Sequence, residues 1–238
     1  MSNHPTQQQL KLYSEGALSD VDGFAIALHL EQCRECKAQV AELEAASASA
    51  IFGQDAAVEA DTELGLGIED SPIESLQAML ADITSLEIEA VAAPVEHGRE
   101  SVKTVTTPNG KRFTLPKGLG RHVDRIGAWR NYGGKIYSAT VELDTYARIN
   151  LLYINEDAQV PQHTHKGQET TVILHGGYSD EDGHYHAGDY LARDASRKHS
   201  PYTKVGEDCL CLTVLTEPMV FTQGVARVFN LFGKGMFP

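Results

Sequence analysis

Residues 160–203 read VPQHTHKGQETTVILHGGYSDEDGHYHAGDYLARDASRKHSPYT, and this stretch decides the fold of the C-terminal half. His163 and His165 are two positions apart, so on an extended strand both imidazoles leave the same face. Glu169 follows and opens the β-branched apolar run TTVIL, which predicts a buried strand. Together with His199 they offer three imidazoles and one carboxylate, a donor set that suits zinc, iron, manganese or nickel. The spacing therefore predicts one metal site built by a β-rich domain.

This spacing resembles that of the cupin family. Four residues carry the first cupin motif: His163, His165, Glu169 and Gly176. Gly188 and His199 carry the second, while three other residues stand where the family usually has proline, glycine and asparagine: Asp194, Ser196 and Thr203. The resemblance implies a jelly-roll barrel whose three histidines and glutamate hold a divalent metal, which we take to be zinc. The alternative is that these histidines are unrelated surface residues of a loop-rich β-domain.

The rest of the C-terminal half also predicts many short strands. Pro108-Asn109-Gly110 between TVTT and KRFTL predicts a hairpin. Residues 147–155 (ARINLLYIN) and 209–214 (CLCLTV) are apolar strands, with turns at intervals of about ten residues, as in a jelly roll. Cys209 and Cys211 share a strand face, which is turned either toward the metal or toward the opposite core. As buried cysteines they are small hydrophobes, and as thiols near a metal they could be oxidised.

Length and composition bound the remaining possibilities. With 238 residues and 42% hydrophobic content, the chain can form one large domain or two small ones. No apolar run reaches the ~18 residues of a membrane span, and the start MSNHPTQQQ lacks the features of a signal peptide. We therefore expect a soluble cytoplasmic protein that does not bind a membrane. The cysteines fall in two close pairs, which suits metal or redox chemistry in a reducing compartment.

Charge is distributed unevenly along the chain. Residues 1–100 carry 19 acidic and 4 basic side chains, and residues 101–238 carry 14 and 16. An acidic module of this kind would repel nucleic acid and favour a basic protein surface. The simpler interpretation is that acidic helices only keep the protein soluble.

Three short helices are predicted before residue 52. The first covers residues 7–13 and stops at Gly16, and the second is capped by Ser19 or Asp20. The third begins near Cys33 and runs toward the Ala/Ser-rich segment 45–50. A unit of about fifty residues with so few large apolar side chains usually needs a cross-link, or staple, such as a structural metal site, to be stable.

Four residues can supply that staple: His4, His29, Cys33 and Cys36. His29 and Cys33 are four positions apart, and Cys33 and Cys36 are three apart, which brings them to one face of a helix or helix-turn. Two thiolates and two imidazoles make a closed tetrahedral zinc site, so folding and zinc binding would be one event. Lys37 after Cys36 excludes c-type haem attachment, and the lack of a preceding strand disfavours a thioredoxin-like motif.

The four-ligand pattern resembles the zinc-binding anti-sigma domain of bacterial regulators, including the long gap between its first two ligands. Such a domain followed by a cupin resembles the ChrR family of anti-sigma factors over nearly the whole chain. The resemblance implies a protein that is not an enzyme and does not bind nucleic acid directly. The resemblance further implies that this protein binds and inhibits an extracytoplasmic-function-type sigma factor and releases it on oxidative stress, of the singlet oxygen or organic hydroperoxide type. It also implies that the cupin is needed for that response. The alternative is a metal-dependent cupin dioxygenase with a helical tethering module.

The domain boundaries follow from composition. Residues 53–70 are acidic with three glycines and predict a linker, and Ser71-Pro72-Ile73-Glu74 predicts the capped start of a helix. Its apolar stripe favours a fourth helix of the anti-sigma domain over a free helix. The predicted organisation is two-domain. A small all-α, zinc-stapled domain (1–87, including the acidic linker) is followed by a linker (88–100) and an all-β cupin domain (101–238).

Overall fold

The computed structural model of the protein describes residues 3–52, 72–85, 102–143 and 145–230. The chain divides into two compact units. One combines Met1–Ala48 with Val102–Pro238, and the other is Ser49–Ser101. The N-terminal helices and the β-rich half thus share a unit. The predicted linkers, 53–70 and 88–100, lie outside the described residues, and the predicted domain boundaries stay a prediction.

Three helices open the chain: α1 (Gln7–Ser14), α2 (Asp20–Gln32) and α3 (Arg34–Phe52). Thr6 caps α1 in a capping box with Gln9. Ser19, and not Asp20, is the N-cap of α2, where its hydroxyl accepts a hydrogen bond from the Asp22 amide. The predicted helices are therefore present, with the first one residue longer than expected.

Helix α4 (Pro72–Ser85) belongs to the second unit and begins at the proline that was predicted to start it. The described side chains at 77–85 are exposed. Three large apolar side chains are among them: Met79, Leu80 and Ile83. Its assignment as a fourth helix of the anti-sigma domain remains a prediction.

The β-rich half contains eleven strands in the described part of the chain. In chain order they are β1 (Thr104–Thr106), β2 (Arg112–Thr114), β3 (Arg130–Tyr132), β4 (Ile136–Thr140), β5 (Arg148–Ile154), β6 (His163–His165), β7 (Glu169–Asp180), β8 (Gly183–His186), β9 (Tyr190–Arg193), β10 (Cys209–Leu215) and β11 (Met219–Phe221). A short helix, α5 (Lys117–Gly120), and a 3-10 turn, Val123–Arg125, lie between β2 and β3, and a second 3-10 turn, Val225–Asn230, follows β11. The predicted hairpin is the β1–β2 pair, with Gly110 at φ +85° in its turn.

The largest sheet is antiparallel, with the strand order β3-β4-β5-β10-β7-β8 and with β9 paired to β7. A second sheet pairs β11 with β6. Isolated bridges, such as the one between His163 and His199, link further backbone segments. His199 thus lies on an isolated bridge and not within a strand. The predicted order of a small helical region followed by an all-β jelly roll is confirmed.

The large sheet buries a different core on each face. On one face, alternate residues of β7 and β10, such as Val172 and Leu212, share a core with Ala25 and Leu28 of α2. On the other face, Ile173 and Cys211 lie in the interior of the barrel. The helices therefore complete their core on the sheet, as the period-2 alternation of strands allows. None of the helices in the described ranges is long and apolar enough to cross a membrane.

Candidate metal centres

The structure brings the four N-terminal candidates together. His4 precedes α1, His29 lies in the last turn of α2, and Cys36 lies in the first turn of α3. Cys33 ends α2 in an extended conformation, with φ −106° and ψ 105°, so that α3 can start again at the next residue. This break turns both thiols to one side, and the Cys36 amide donates to Cys33 Sγ at 3.5 Å. The ligand atoms of the four residues all lie within 4.8 Å of one another.

The spacing of these atoms fits a tetrahedral ion. Zinc bonds of about 2.3 Å to sulfur and about 2.0 Å to nitrogen place the ligand atoms of a tetrahedron roughly 3.3–3.8 Å apart. His4 Nδ1 lies 3.5 Å from Cys33 Sγ and 3.5 Å from Cys36 Sγ. Burial, reinforced by Cys33, raises the pKa of the Cys36 thiol to about 12, so binding a cation there would release a proton.

His29 is held in the tautomer that a metal requires. Its Nδ1 donates to the carbonyl oxygen of Gly188 at 2.6 Å, which leaves the lone pair on Nε2. That Nε2 atom is buried and has no hydrogen-bond partner within the described residues. Burial also lowers the pKa of His29, which keeps the imidazole neutral. A buried nitrogen that is oriented in this way and has no other partner is suited to bind a metal ion.

The second cluster joins His163 and His165 of β6, Glu169 at the start of β7, and His199 on the bridge to His163. All four residues are buried. The closest ligand atoms are His165 Nε2 and Glu169 Oε2 at 3.1 Å, and His165 Nε2 and His199 Nε2 at 3.2 Å. Glu169 Oε2 is 3.6 Å from His199 Nε2. These separations fit an ion about 2.0–2.2 Å from each donor.

A layer of polar groups surrounds this second cluster. His163 Nδ1 donates to the carbonyl of Pro161 at 2.9 Å, which points its Nε2 at the cluster. His199 Nδ1 lies 2.7 Å from Arg193 Nη1 and 3.5 Å from Asp180 Oδ2. Arg193 also donates to Asp180 Oδ2 at 2.5 Å. No pattern in the sequence marks Arg193 or Asp180 as part of this site. The pairing of β9 with β7 places Arg193 there, and Asp180 lies at the far end of β7.

The electrostatics of this layer favour a cation between the ligands. Burial alone would raise the pKa of Glu169, but His165 and the other imidazoles hold it below its ordinary value. Burial would also raise the pKa of Asp180, but the neighbouring His199 and the Arg193 guanidinium lower it to about 2. Both carboxylates are therefore ionised at neutral pH. Three imidazoles and one carboxylate form a set that binds borderline divalent metals.

The residues that depart from the cupin pattern still close their turns. Asp194 Oδ1 accepts hydrogen bonds from the amide of Ser196 at 2.9 Å and from its hydroxyl at 2.5 Å, which forms an Asx-type turn. The Thr203 hydroxyl donates to the carbonyl of Asn155 at 2.5 Å and accepts from the amide of Ala158 at 3.2 Å. Side-chain hydrogen bonds thus replace the backbone restriction of proline and glycine.

The metal-free protein should lose stability as the pH falls from about 6.5 to about 4. Burial, followed by the neighbouring His199, lowers the pKa of His163 to about 4 from the ordinary 6.5. In that window the unfolded chain binds a proton that folded His163 does not, so the free energy of unfolding rises with pH, by at most about 3–4 kcal/mol. Urea denaturation at several pH values measures this slope.

The His163→Gln variant is the test of that assignment, because it should flatten the slope. Glu169 contributes in a lower window, since its depressed pKa removes stability only as the pH falls below the ordinary 4.5. An unchanged slope in His163→Gln would show that other groups set the pH dependence.

Comparison with known proteins adds three similarities. Residues 136–218 match the family described as ChrR cupin-like domain. The chain is 26% identical to the anti-sigma-E factor ChrR of Cereibacter sphaeroides over 97% of each chain. A chain in the crystal structure of Rhodobacter sphaeroides SigE in complex with the anti-sigma ChrR matches with a TM-score of 0.59 and 26% identity. The match covers 89% of this chain and 97% of that one.

A fourth similarity covers less of the chain. An RmlC-like cupin from Ralstonia eutropha matches with a TM-score of 0.38 and 17% identity, over 42% of this chain and 69% of its own. The predicted resemblance to the ChrR family is confirmed over nearly the full length.

Proposed function

We propose that this chain is an anti-sigma factor that binds a sigma factor of the extracytoplasmic-function type and keeps it from RNA polymerase. The observation that carries the proposal is the similarity to anti-sigma-E factor ChrR over 97% of both chains. The fold match to a structure of ChrR with SigE supports the same partner class. Because that partner works with RNA polymerase, the proposed place of action is the cytoplasm.

The N-terminal cluster would make the helical module able to bind. We assign zinc to His4, His29, Cys33 and Cys36, because two thiolates and two imidazoles at tetrahedral spacing are a structural zinc set. The ion would fix the ends of α2 and α3 to the segment before α1. The acidity of residues 1–100 suits a basic protein surface and opposes direct contact with nucleic acid. We place the partner-binding region within residues 1–87.

The cupin would supply the response to oxidants of the singlet oxygen or organic hydroperoxide type. We assign a second divalent ion, also zinc, to His163, His165, Glu169 and His199. A structural change caused by oxidation at this cluster must be transmitted to the helical module to release the sigma factor. Strand β9 offers a direct route, because its two ends contact the two clusters.

The N-terminal end of β9 is fastened to the helical module. Gly188, two residues before the strand, accepts the hydrogen bond from His29. The Tyr190 amide donates to the carbonyl of Asn3 at 2.8 Å, next to His4 in the chain. At the other end Arg193 contacts His199 at 2.7 Å. A shift of this four-residue strand would therefore disturb both clusters, and we propose that it links oxidation to partner release.

A regulator explains the helical module better than an enzyme does. The metal-dependent dioxygenase of the alternative hypothesis would use the second cluster but leave the first one without a part in the reaction. In the proposed regulator both clusters are used, one for holding the partner and one for sensing. The named relative is an anti-sigma factor, which supports a role without catalysis.

The test is co-purification of the full chain with the sigma factors of its own cell. The zinc-loaded protein should retain one extracytoplasmic-function-type sigma factor and block transcription from its promoter in vitro. Treatment of the complex with an organic hydroperoxide should then release the sigma factor. If the folded, zinc-loaded chain captures no sigma factor, the proposed function is wrong.

A further inference from the structure

The barrel encloses a cavity of about 700 Å³ that neither metal cluster fills. Its walls are mainly apolar and come from both sides of the barrel, as shown by Ile136, Leu152 and Ile154 on one side and Val160, Met219 and Phe221 on the other. Protein interiors are normally packed as densely as organic crystals, so a space of this size is unusual. The volume is in the range that holds one small organic ligand.

One part of the cavity wall is polar and chemically specific. His163, Glu169 and His199 line the cavity, so three of the four residues of the second cluster face it. A ligand inside the barrel would therefore lie next to the ion that this cluster is proposed to hold. The opposite part of the lining includes the exposed residues Lys135 and Asp157, whose side chains pair at 2.8 Å, and there the cavity meets solvent.

Thr213 adds a second polar group that points to a ligand. Its side chain is buried, with 2% of the residue exposed, and it lines the cavity. Its hydroxyl has no hydrogen-bond partner among the residues that the structure describes. Thr213 pairs with Thr171 across β10 and β7. Thr171 is two positions from Glu169, so both lie on the same face of the sheet. Because a buried hydroxyl is costly to leave unpaired, a polar atom of a bound molecule would satisfy it.

We propose that this cavity binds an aliphatic carboxylate, with its chain against the apolar walls and its carboxylate between Thr213 and the second cluster. The inference goes beyond the regulatory proposal and rests on that proposal only for the divalent ion. A divalent ion with the single carboxylate of Glu169 carries a net positive charge in a buried setting. An anionic oxygen group is the complement of that charge, and the Thr213 hydroxyl can donate to it.

The low polarity of the remaining wall determines what the ligand carries besides its carboxylate. Between the polar cluster and the solvent-exposed rim, the lining consists mainly of side chains such as Leu152, Ile154 and Val160, which offer neither donor nor acceptor. A sugar or nucleotide would lose its hydrogen bonds to water there without replacement. An alkyl chain loses none and gains from leaving water. One charged head and one apolar tail therefore match the two parts of the cavity.

Calorimetric titration of the zinc-loaded full chain with decanoate tests the proposal. Metal analysis first establishes that the second cluster is loaded, so a failure of the metal assignment is seen separately from a failure of ligand binding. We expect decanoate to bind with one molecule per chain. Decanol, which lacks the charge, should bind at least tenfold more weakly, and acetate, which lacks the chain, should show no measurable binding. Equal affinity for decanol and decanoate would overturn the proposed recognition of the head group.

Variants locate the binding in the barrel. Leu152→Trp places a large side chain in the cavity and should abolish decanoate binding, whereas Tyr137→Trp, on the other face of the sheet, should bind as wild type does. Thr213→Val should weaken decanoate binding about five- to tenfold, because it removes one hydrogen bond to the ligand. Thr213→Ser, which keeps the hydroxyl, should bind decanoate as wild type does. If Leu152→Trp binds decanoate as tightly as wild type, the site is elsewhere and the proposal is wrong. None of these measurements involves a sigma factor, so they are independent of the partner assignment.

Discussion

Cys33→Ser is expected to remove one of the two bound zinc ions and to weaken sigma-factor binding by at least a thousandfold. Cys33 Sγ is 3.5 Å from His4 Nδ1 and accepts from the Cys36 amide, so its loss breaks the cluster at its centre. Structural zinc sites contribute on the order of 10–16 kcal/mol to the folding of small modules. Without the ion, the ends of α2 and α3 and the segment that carries His4 are no longer held together. Metal analysis and a binding titration with the purified sigma factor measure both effects.

Glu169→Ala is the matched variant at the other cluster. It should also remove one zinc ion, but sigma-factor binding should stay within about threefold of wild type because the helical cluster is untouched. The response to hydroperoxide should change instead. If both variants lost binding to the same extent, the two clusters would not have separate roles.

Residue spacing predicted the members of both clusters, because ligand geometry is largely local. His163 and His165 share a strand face, and Cys33 and Cys36 meet across a helix break, as the period of each element requires. The resemblance to known families supported the distant members, His4 and His199. The structure places all of them at ligand distance within their groups.

The layer around the second cluster could not be predicted in this way. Arg193 lies at the end of the strand YLAR, and nothing in that run marks the arginine as buried. Its contacts depend on the register in which Glu169 pairs with Arg193, and on Asp180 at the far end of β7. Such long-range pairing depends on the whole sheet and leaves no local pattern in the sequence.

The helical module was expected to have little core, and the structure supplies the missing part from the sheet. Helix α2 buries Val21, Ala25, Ile26 and Leu28, which lie on more than one side of the helix. Side chains of β7 and β10, such as Val172 and Leu212, lie in the same core. The sequence of the helices alone could not show this, because the complementary surface lies more than a hundred residues later.

Arg193→Met is the change in the cupin with the largest expected effect on stability. Arg193 and Asp180 form a buried pair at 2.5 Å, with side chains 7% and 0% exposed. Methionine keeps the length of the side chain but leaves the Asp180 carboxylate buried without its cation, and breaking such a pair costs about 3–5 kcal/mol. Urea denaturation of the full chain measures the loss. Adding Asp180→Asn to Arg193→Met should recover part of it, because the unpaired charge is then also gone.

Arg197→Met is the control on the same segment. Arg197 pairs with Asp182 at 2.9 Å, but the arginine side chain is 46% exposed, so its loss should cost less than about 1 kcal/mol. Only Arg193 also contacts His199, at 2.7 Å. If β9 links the two clusters, Arg193→Met should still bind the sigma factor but fail to release it on oxidation, while Arg197→Met should release it normally. Normal release by both variants would mean that the signal reaches the helical module by a route other than the Arg193–His199 contact.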